Sequence, residues 1–155
     1  IREKLVQWDQ VVEPLAEMGF GHADLIVAVP QAWVDVNTLD DLDAAAAGFR
    51  ARHGFRLRIA TKYHRLVRDY LRDGGVADYR LVDSQGATEG TVANLTAEAI
   101  ADITSTGETL RANHLKVLEE EPVLRSQATL FRARRVDLSD AERASMAALQ
   151  DKLGL

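Results

Sequence analysis

Asp24-Leu25-Ile26-Val27-Ala28-Val29-Pro30 is a nearly unbroken apolar run closed by a proline. A short continuous run without polar alternation is the pattern of a strand buried on both faces. Such a strand needs cover above and below the sheet, so the run predicts an α/β sheet protein. Upstream, Leu5, Trp8, Val12, Leu15 and Met18 fall at helical spacing and predict a helix over Arg2 to Met18. Pro14 works against its C-terminal part, and Gly19-Phe20-Gly21 ends it.

Downstream, Thr38 to Arg52 reads as a helix, Arg56 to Ala60 as a strand, and Tyr63 to Leu71 as a helix closed by Gly74-Gly75. Asp78 to Asp83 reads as a strand, and Ser84 to Thr91 as a glycine-containing loop. Thr96 to Ile103 is a helix running into a short strand, or one of the two alone. Glu108 to Asn113 is a short helix. His114 to Leu118 and Val123 to Phe131 read as strands joined by the acidic turn Glu119-Glu120-Glu121-Pro122. Ser139 to Leu153 is a helix whose Ser139 and Glu142 form a capping box.

The chain has 155 residues, enough for one domain or two small lobes. Its net charge of −5 argues against a nucleic-acid partner held mainly by phosphate contacts. An anionic ligand must then be caught by a local site. There are no cysteines, which excludes disulfides, thiolate metal sites and thiol nucleophiles and is compatible with the expected cytoplasmic location. No apolar run approaches the ~20 residues that span a bilayer, so no membrane partner is expected. The charged start Ile1-Arg2-Glu3-Lys4-Leu5 is no signal peptide and reads as mid-domain sequence, so the native chain is expected to begin earlier.

The chemistry concentrates in Ala101-Asp102-Ile103-Thr104-Ser105-Thr106-Gly107-Glu108-Thr109-Leu110. An acidic residue ends an apolar stretch, a loop of small hydroxyl residues with one glycine follows, and a helix begins. Backbone N–H groups and hydroxyls there can cradle a phosphate, and the Asp102 carboxylate can accept hydrogen bonds from ribose hydroxyls. Ser105 and Glu108 also have capping-box spacing. The two readings are compatible, with Glu108 turned back toward the Ser105 N–H. Asp102 reads equally as a loop-start carboxylate capping local N–H groups. Glu89, in the second polar loop Ser84 to Thr91, either faces Asp102 across a cleft, serving ribose or Mg²⁺, or belongs to an ordinary turn. Lys62, at a strand-to-helix junction, meets a pyrophosphate or is simply solvated.

His22, His53, His64 and His114 show no metal-ligand spacing, and no nucleophile elbow, Walker A or dinucleotide glycine motif occurs. No metal ligands are assigned. Arg132, Arg134 and Arg135 are a solvated edge or a partner contact.

These segments resemble the catalytic subunit family of ATP phosphoribosyltransferase, the first enzyme of histidine biosynthesis. The resemblance is carried by Ala23 to Pro30, by Arg58-Ile59-Ala60-Thr61-Lys62-Tyr63, by Ser84 to Glu89, and most specifically by Asp102 to Asn113. The last has the form Asp-Ile-x-x-Thr-Gly-x-Thr-Leu-x-x-Asn of the family's phosphoribosyl pyrophosphate loop. The resemblance implies a fold like a type II periplasmic binding protein, with two α/β lobes sharing a cleft. Residues 1–30 would be the end of the first lobe and the crossover, 31–113 the second lobe with the loop, and 114–155 the return strands and C-terminal helix.

The reaction implied joins N1 of ATP to C1 of phosphoribosyl pyrophosphate, with release of pyrophosphate in the presence of Mg²⁺. The resemblance gives Thr104, Ser105, Thr106, Gly107, Glu108 and Thr109 the 5′-phosphate and Asp102 the ribose hydroxyls. It places Glu89 near the ribose or its metal-bound diphosphate, and Lys62 on the pyrophosphate side. No catalytic nucleophile is expected, because displacement at the anomeric carbon requires positioning and charge stabilisation instead. The family's arginine-bearing first segment has no match here, so the first lobe is expected to be cut short at its N-terminus. The C-terminus, one helix after Arg135, is expected to leave no room for the long form's regulatory domain. A short-form enzyme is implied, a homo-oligomer with an accessory subunit related to histidyl-tRNA synthetase. Two other readings compete. One is a non-catalytic small-anion-binding domain of periplasmic-binding-protein type. The other is a salvage-type phosphoribosyltransferase, against which Ala101 counts because that group places two adjacent acidic residues before its loop.

Overall fold

The computed structural model describes residues 1–84, 88–134 and 137–154. The chain divides into two units. One is His22–Ser126; the other comprises Ile1–Gly21 and the chain from Gln127 onward.

The larger unit is built on the apolar run. Strand β2 (Ala23–Pro30) buries every residue from Leu25 to Val29. Alternate side chains go to opposite faces, as strand geometry requires. Leu25, Val27 and Val29 join one core, and Ile26 and Ala28 join the other. The first core lies under helices α2 (Leu39–His53) and α3 (His64–Asp73), which contribute Leu42, Ala46, Val67 and Leu71. The second takes Ala97, Leu110 and Leu115. A sheet covered on both faces is what the uninterrupted run predicts.

Strands β3 (Leu57–Thr61), β4 (Tyr79–Asp83), β5 (Ala99–Thr104) and β6 (Leu115–Val117) complete the order β4-β3-β5-β2-β6. β3 is parallel to β4 and β5, whereas β2 is antiparallel to β5 and β6. Strand β7 (Leu124–Ser126) also pairs with β2, toward its other end. The parallel trio therefore ends at Thr61, Asp83 and Thr104 along one side of the sheet, where open α/β sheets place ligands.

The expected helix over Thr38 to Arg52 forms with an N-terminal lock. Thr38 Oγ1 accepts the Asp41 N–H at 3.2 Å, and Asp41 Oδ2 accepts the Thr38 and Asn37 N–H groups at 2.9 and 3.0 Å. Gly54, at φ 77°, closes it. The ambiguous stretch Thr96 to Ile103 resolves as strand: β5 begins at Ala99, after the short helix α4 (Gly90–Ala93) and the left-handed Leu95. The loop reading of Ser84 to Thr91 gives way to α4 at its end, and residues 85–87 lie outside the described residues. The acidic turn is tied to α2, with the Glu119 N–H donating to Asn37 O and Glu120 Oε1 accepting the Leu39 N–H.

The smaller unit holds two corrections. The helix expected over Arg2 to Met18 is confined to α1 (Trp8–Val11), and the chain then extends as β1 (Val12–Glu17). Pro14 cannot continue a helix, but it is tolerated in a two-stranded ribbon, where each strand is an edge. The partner is β8 (Thr129–Ala133), antiparallel to β1. Trp8 meets Phe131 edge-on at 6.2 Å. The single strand expected over Val123 to Phe131 is two strands, β7 and β8, because the chain leaves the six-stranded sheet at Gln127-Ala128 and enters the ribbon. Arg132 and Arg134 both pair with Glu13 of β1; Arg135 lies outside the described residues. Helix α6 (Asp140–Leu153) begins with the expected Ser139–Glu142 capping box.

Candidate functional site

β5 delivers the acidic residue and the loop to the ligand side of the sheet. Ala99, Ile100 and Ala101 are buried, and the strand then emerges toward solvent through Asp102, Ile103 and Thr104. Asp102 lies opposite Ile26 of β2, on the same face as buried Ile100. One of its oxygens accepts the Ile103 N–H at 2.9 Å. The carboxylate therefore caps a local N–H group, as the ordinary reading expected, and still lines a pocket.

The loop is held by its own hydroxyls. Thr104 Oγ1 accepts the Gly107 N–H at 3.0 Å, and the Ser105 hydroxyl donates to His22 O at 3.0 Å. Thr106 Oγ1 accepts the Glu108 N–H at 3.4 Å. Gly107 stands at φ 72°, a left-handed conformation costly for a residue with a Cβ. The expected Ser105–Glu108 capping box does not form. Helix α5 (Glu108–Ala112) starts two residues later than that box requires, with Gly107 at its N-cap and no side-chain cap. Five residues add little macrodipole, so hydroxyls and loop N–H groups are the donors available to an anion.

Glu89 reaches the same place from the other loop. Thr88, fully buried, donates its hydroxyl to Ser84 Oγ at 2.9 Å, and the Thr91 hydroxyl donates to Thr88 O at 2.6 Å. These bonds fix the start of α4 with Glu89 at its N-cap. A pocket of about 290 Å³ is lined by Glu89, Asp102, Thr104, Ser105, Thr106, Glu108 and Thr109 around an apolar wall of Ile100, Ile103 and Leu110. Gly107 makes the bend without lining the pocket. Lys62 is exposed just past the end of β3, outside the lining set.

Among the described residues the lining carries three carboxylates, Glu89, Asp102 and Glu108, and no cationic side chain. Sequence reasoning missed a positive group beside the loop. The Arg111 guanidinium lies over Gly107, with one nitrogen 3.1 Å from where a Cβ on that glycine would stand. Its position at i+4 from Gly107 brings it back over the loop only once α5 starts at Glu108. The His64–Asp83 pair, 2.6 Å apart at the start of α3 and the end of β4, was also missed, because nothing in spacing alone joins the two. Among the described residues no cluster of three or more His, Asp or Glu could hold a metal by itself. No helix there is long and apolar enough to cross a membrane.

Comparison with known proteins gives this geometry a family. A family profile described as HisG: ATP phosphoribosyltransferase matches residues 1–154. The chain is 69% identical over all 155 residues to an ATP phosphoribosyltransferase of Cereibacter sphaeroides, covering 65% of that protein. Other curated relatives of the same name, from Rhodopseudomonas palustris and Brucella suis, are 51% and 57% identical and are covered to 47% and 59%, so the chain spans from just under half to just under two-thirds of the length of these relatives. Among solved structures, an ATP phosphoribosyl transferase (HisG:HisZ) complex from Thermotoga maritima superposes with a TM-score of 0.69 at 18% identity, over 98% of this chain and 65% of that one. An ABC transporter / periplasmic binding protein from Brucella ovis superposes at 0.52 and 11% identity, over 79% and 37% of the two chains. At such identities the structural likenesses establish the fold, which is that of the periplasmic binding proteins. The profile, which runs along nearly the whole chain, and the close curated relative establish more: this chain belongs to the ATP phosphoribosyltransferase family.

Proposed function

We propose that the chain carries the phosphoribosyl pyrophosphate site of a cytoplasmic ATP phosphoribosyltransferase. That enzyme transfers phosphoribosyl to N1 of ATP and releases pyrophosphate, the first step of histidine biosynthesis. The observation that carries the reading is the single pocket at the end of β5 that gathers Glu89, Asp102 and the hydroxyls of Thr104 to Thr109 from two separated loops. In this reading the unit His22–Ser126, which holds residues 31–113 together with the strand Ala23–Pro30, is the lobe that takes the sugar phosphate.

The lining assigns roles by chemistry. Thr104, Ser105, Thr106 and Thr109 offer hydroxyls, and the loop offers N–H groups, to the 5′-phosphate. Gly107 gives the bend that turns them inward, and Glu108 flanks it. Asp102 accepts from the ribose hydroxyls. Three carboxylates in one small pocket repel a bare diphosphate, so the donor set fits a ligand that arrives with a divalent cation. Glu89 and Asp102 are the residues that would hold Mg²⁺, which takes one or two carboxylates and completes its shell with phosphate oxygens and water. When bound, Mg²⁺ neutralises the diphosphate and stabilises it as a leaving group. Lys62, beyond the end of the neighbouring strand, is assigned to the departing pyrophosphate.

At the reacting centre the N1 lone pair forms a bond to C1 as the C1–oxygen bond breaks, and that bond's electrons leave with pyrophosphate. Positive charge develops on the ribose, and in this reading the Asp102 and Glu89 carboxylates of the shared pocket stabilise it. The protein supplies position and field, and no covalent intermediate is required. We extend the reading to a homo-oligomer served by an accessory regulatory subunit related to histidyl-tRNA synthetase, by analogy with the complex named for the Thermotoga maritima structure.

The test mixes the intact protein with ATP, phosphoribosyl pyrophosphate and Mg²⁺ and follows pyrophosphate release. Release that requires ATP and is not supported by free purine or pyrimidine bases upholds the assignment. Release with a free base instead shows a salvage transferase, and tight binding of phosphoribosyl pyrophosphate without turnover shows a binding module.

A further inference from the structure

The sheet has an open edge that the candidate active site does not use. β4 ends the strand order and pairs only with β3 among the described residues, so its outer N–H and C=O groups have no ladder partner. A groove of about 680 Å³ runs beside this edge, lined by Arg56, Arg68, Arg72 and Arg80 together with Tyr79 and Leu81. The arginines reach it from both faces of the sheet. Tyr79 and Leu81 pack into the core under α2 and α3, the face from which Arg68 and Arg72 of α3 approach. Val82 packs into the opposite core, and Arg80 alternates with Tyr79 and Leu81 onto that second face. The edge is thus flanked by positive charge above and below.

This charge is only partly neutralised. Arg72 is paired with Asp69 and Asp73, and Arg56 lies 3.9 Å from Asp78, which Arg50 already holds. Arg68 and Arg80 are exposed and form no ion pair among the described residues. In a chain of net charge −5 this is a local reversal of sign. Charged side chains on an edge strand commonly block pairing with another copy. Here the charged side chains that line the groove are of one sign, and the one carboxylate on β4, Asp83, lies at the strand's end against His64, so what repels a second β4 attracts a strand of the other sign.

We propose that the β4 edge is a docking surface for an acidic extended segment of a partner protein. The segment adds as a further strand along β4, and its carboxylates engage Arg68 and Arg80 on the two faces. Backbone ladder bonds supply affinity and the arginines supply selection, the division of labour in strand addition. The proposal is independent of the chemistry assigned to the phosphate pocket, since none of the groove residues named here lines it.

The test uses the intact protein and a fluorescein-labelled peptide of alternating valine and glutamate, read by anisotropy. Binding is expected for this peptide and not for its valine–lysine counterpart. Arg68→Glu/Arg80→Glu should raise the Kd by roughly tenfold or more, and Arg68→Gln/Arg80→Gln by a smaller factor, with far-UV circular dichroism unchanged in both. N-methylation of alternate peptide residues, which removes ladder donors while keeping charge, should abolish binding. Failure of the glutamate peptide to bind, or an unchanged Kd in both variants, overturns the proposal. Equal binding of the N-methylated peptide overturns strand addition. Tighter, arginine-dependent binding of a single-stranded DNA oligonucleotide would show a general polyanion surface instead. Pyrophosphate release by the variants should equal that of the parent.

Discussion

Thr106 and Gly107 are neighbours in the phosphate loop, but substitutions at the two should fail in different ways. Thr106 is exposed and its hydroxyl is lightly engaged, accepting the Glu108 N–H at 3.4 Å. Thr106→Val should leave the melting temperature unchanged while removing one phosphate-directed hydrogen bond. A bond to a charged group contributes about 1.5–3 kcal/mol, so calorimetry should show affinity for phosphoribosyl pyrophosphate falling by one to two orders of magnitude. Unchanged affinity would remove the loop from the phosphate site. Gly107→Val strains a backbone held at φ 72° by roughly 1–2 kcal/mol and pushes its Cβ toward Arg111, so this variant should lose stability as well as affinity. Thr88 makes a third contrast. It is buried and donates to Ser84 Oγ, so Thr88→Val should lower the melting temperature by the equivalent of about 0.5–1.5 kcal/mol. It should also loosen Glu89 without touching ligand directly. At this scale the hydroxyl–glycine spacing made the loop legible. Arg111 was not legible, because its return over Gly107 depends on where α5 starts, and Ser105 and Glu108 mimic the spacing of an earlier start.

Whether a local signal survives at the scale of an element depends on what competes with it. Thr38 and Asp41 face no competitor, and the sequence boundary of α2 holds to within a residue. Thr38→Ala should cost about 1 kcal/mol, measured by denaturant unfolding. The N–H groups of Asn37 and Thr38, and then the Thr38 hydroxyl, hold the Asp41 carboxyl below its ordinary value of 3.8. A carboxyl lowered on folding stabilises fully above that ordinary value, and the gain is lost as pH falls through its folded value. The difference in melting temperature between the parent and Asp41→Asn should therefore be constant near neutrality and shrink below about pH 4. A gap that widens in acid would contradict the capping geometry. The segment before Gly19 shows the opposite case. Its apolar residues have helical spacing, but Pro14 removes a donor in the middle, and pairing with β8 takes Val12–Glu17 instead. That partner lies more than a hundred residues away, in a stretch that itself looks continuous with β7. Local periodicity carries no information about such a pairing.

Across the whole chain, apolar burial is divided unevenly. Every buried hydrophobic residue among those described, from Leu25 to Leu118, lies in His22–Ser126, and both core clusters are confined there. The other unit consists of the β1–β8 ribbon with α1 and α6, and it leaves Val6, Val11, Phe20, Leu149 and Leu153 exposed. The sheet unit was readable from sequence because its central strand is an apolar run and its strands alternate with helices closed by glycines. The ribbon was not readable, because a two-stranded element needs only a few partly buried side chains and leaves a weak pattern. Two strands without a packed face are marginal in water, so stability should follow the same division. Native-state hydrogen exchange should find the slowest amides in β2, β3 and β5, with opening energies approaching that of global unfolding. Amides of β1, β8 and α6 should exchange through local opening well before global unfolding. A chain shortened to His22–Ser126 should keep a cooperative thermal transition and its pocket, because the capped helix α2, both cores and all the pocket-lining residues lie within it. If β1 and β8 amides were instead protected as strongly as those of β3, or the shortened chain melted without cooperativity, the two units would share one folding transition, and the stability of the phosphate site would depend on the ribbon.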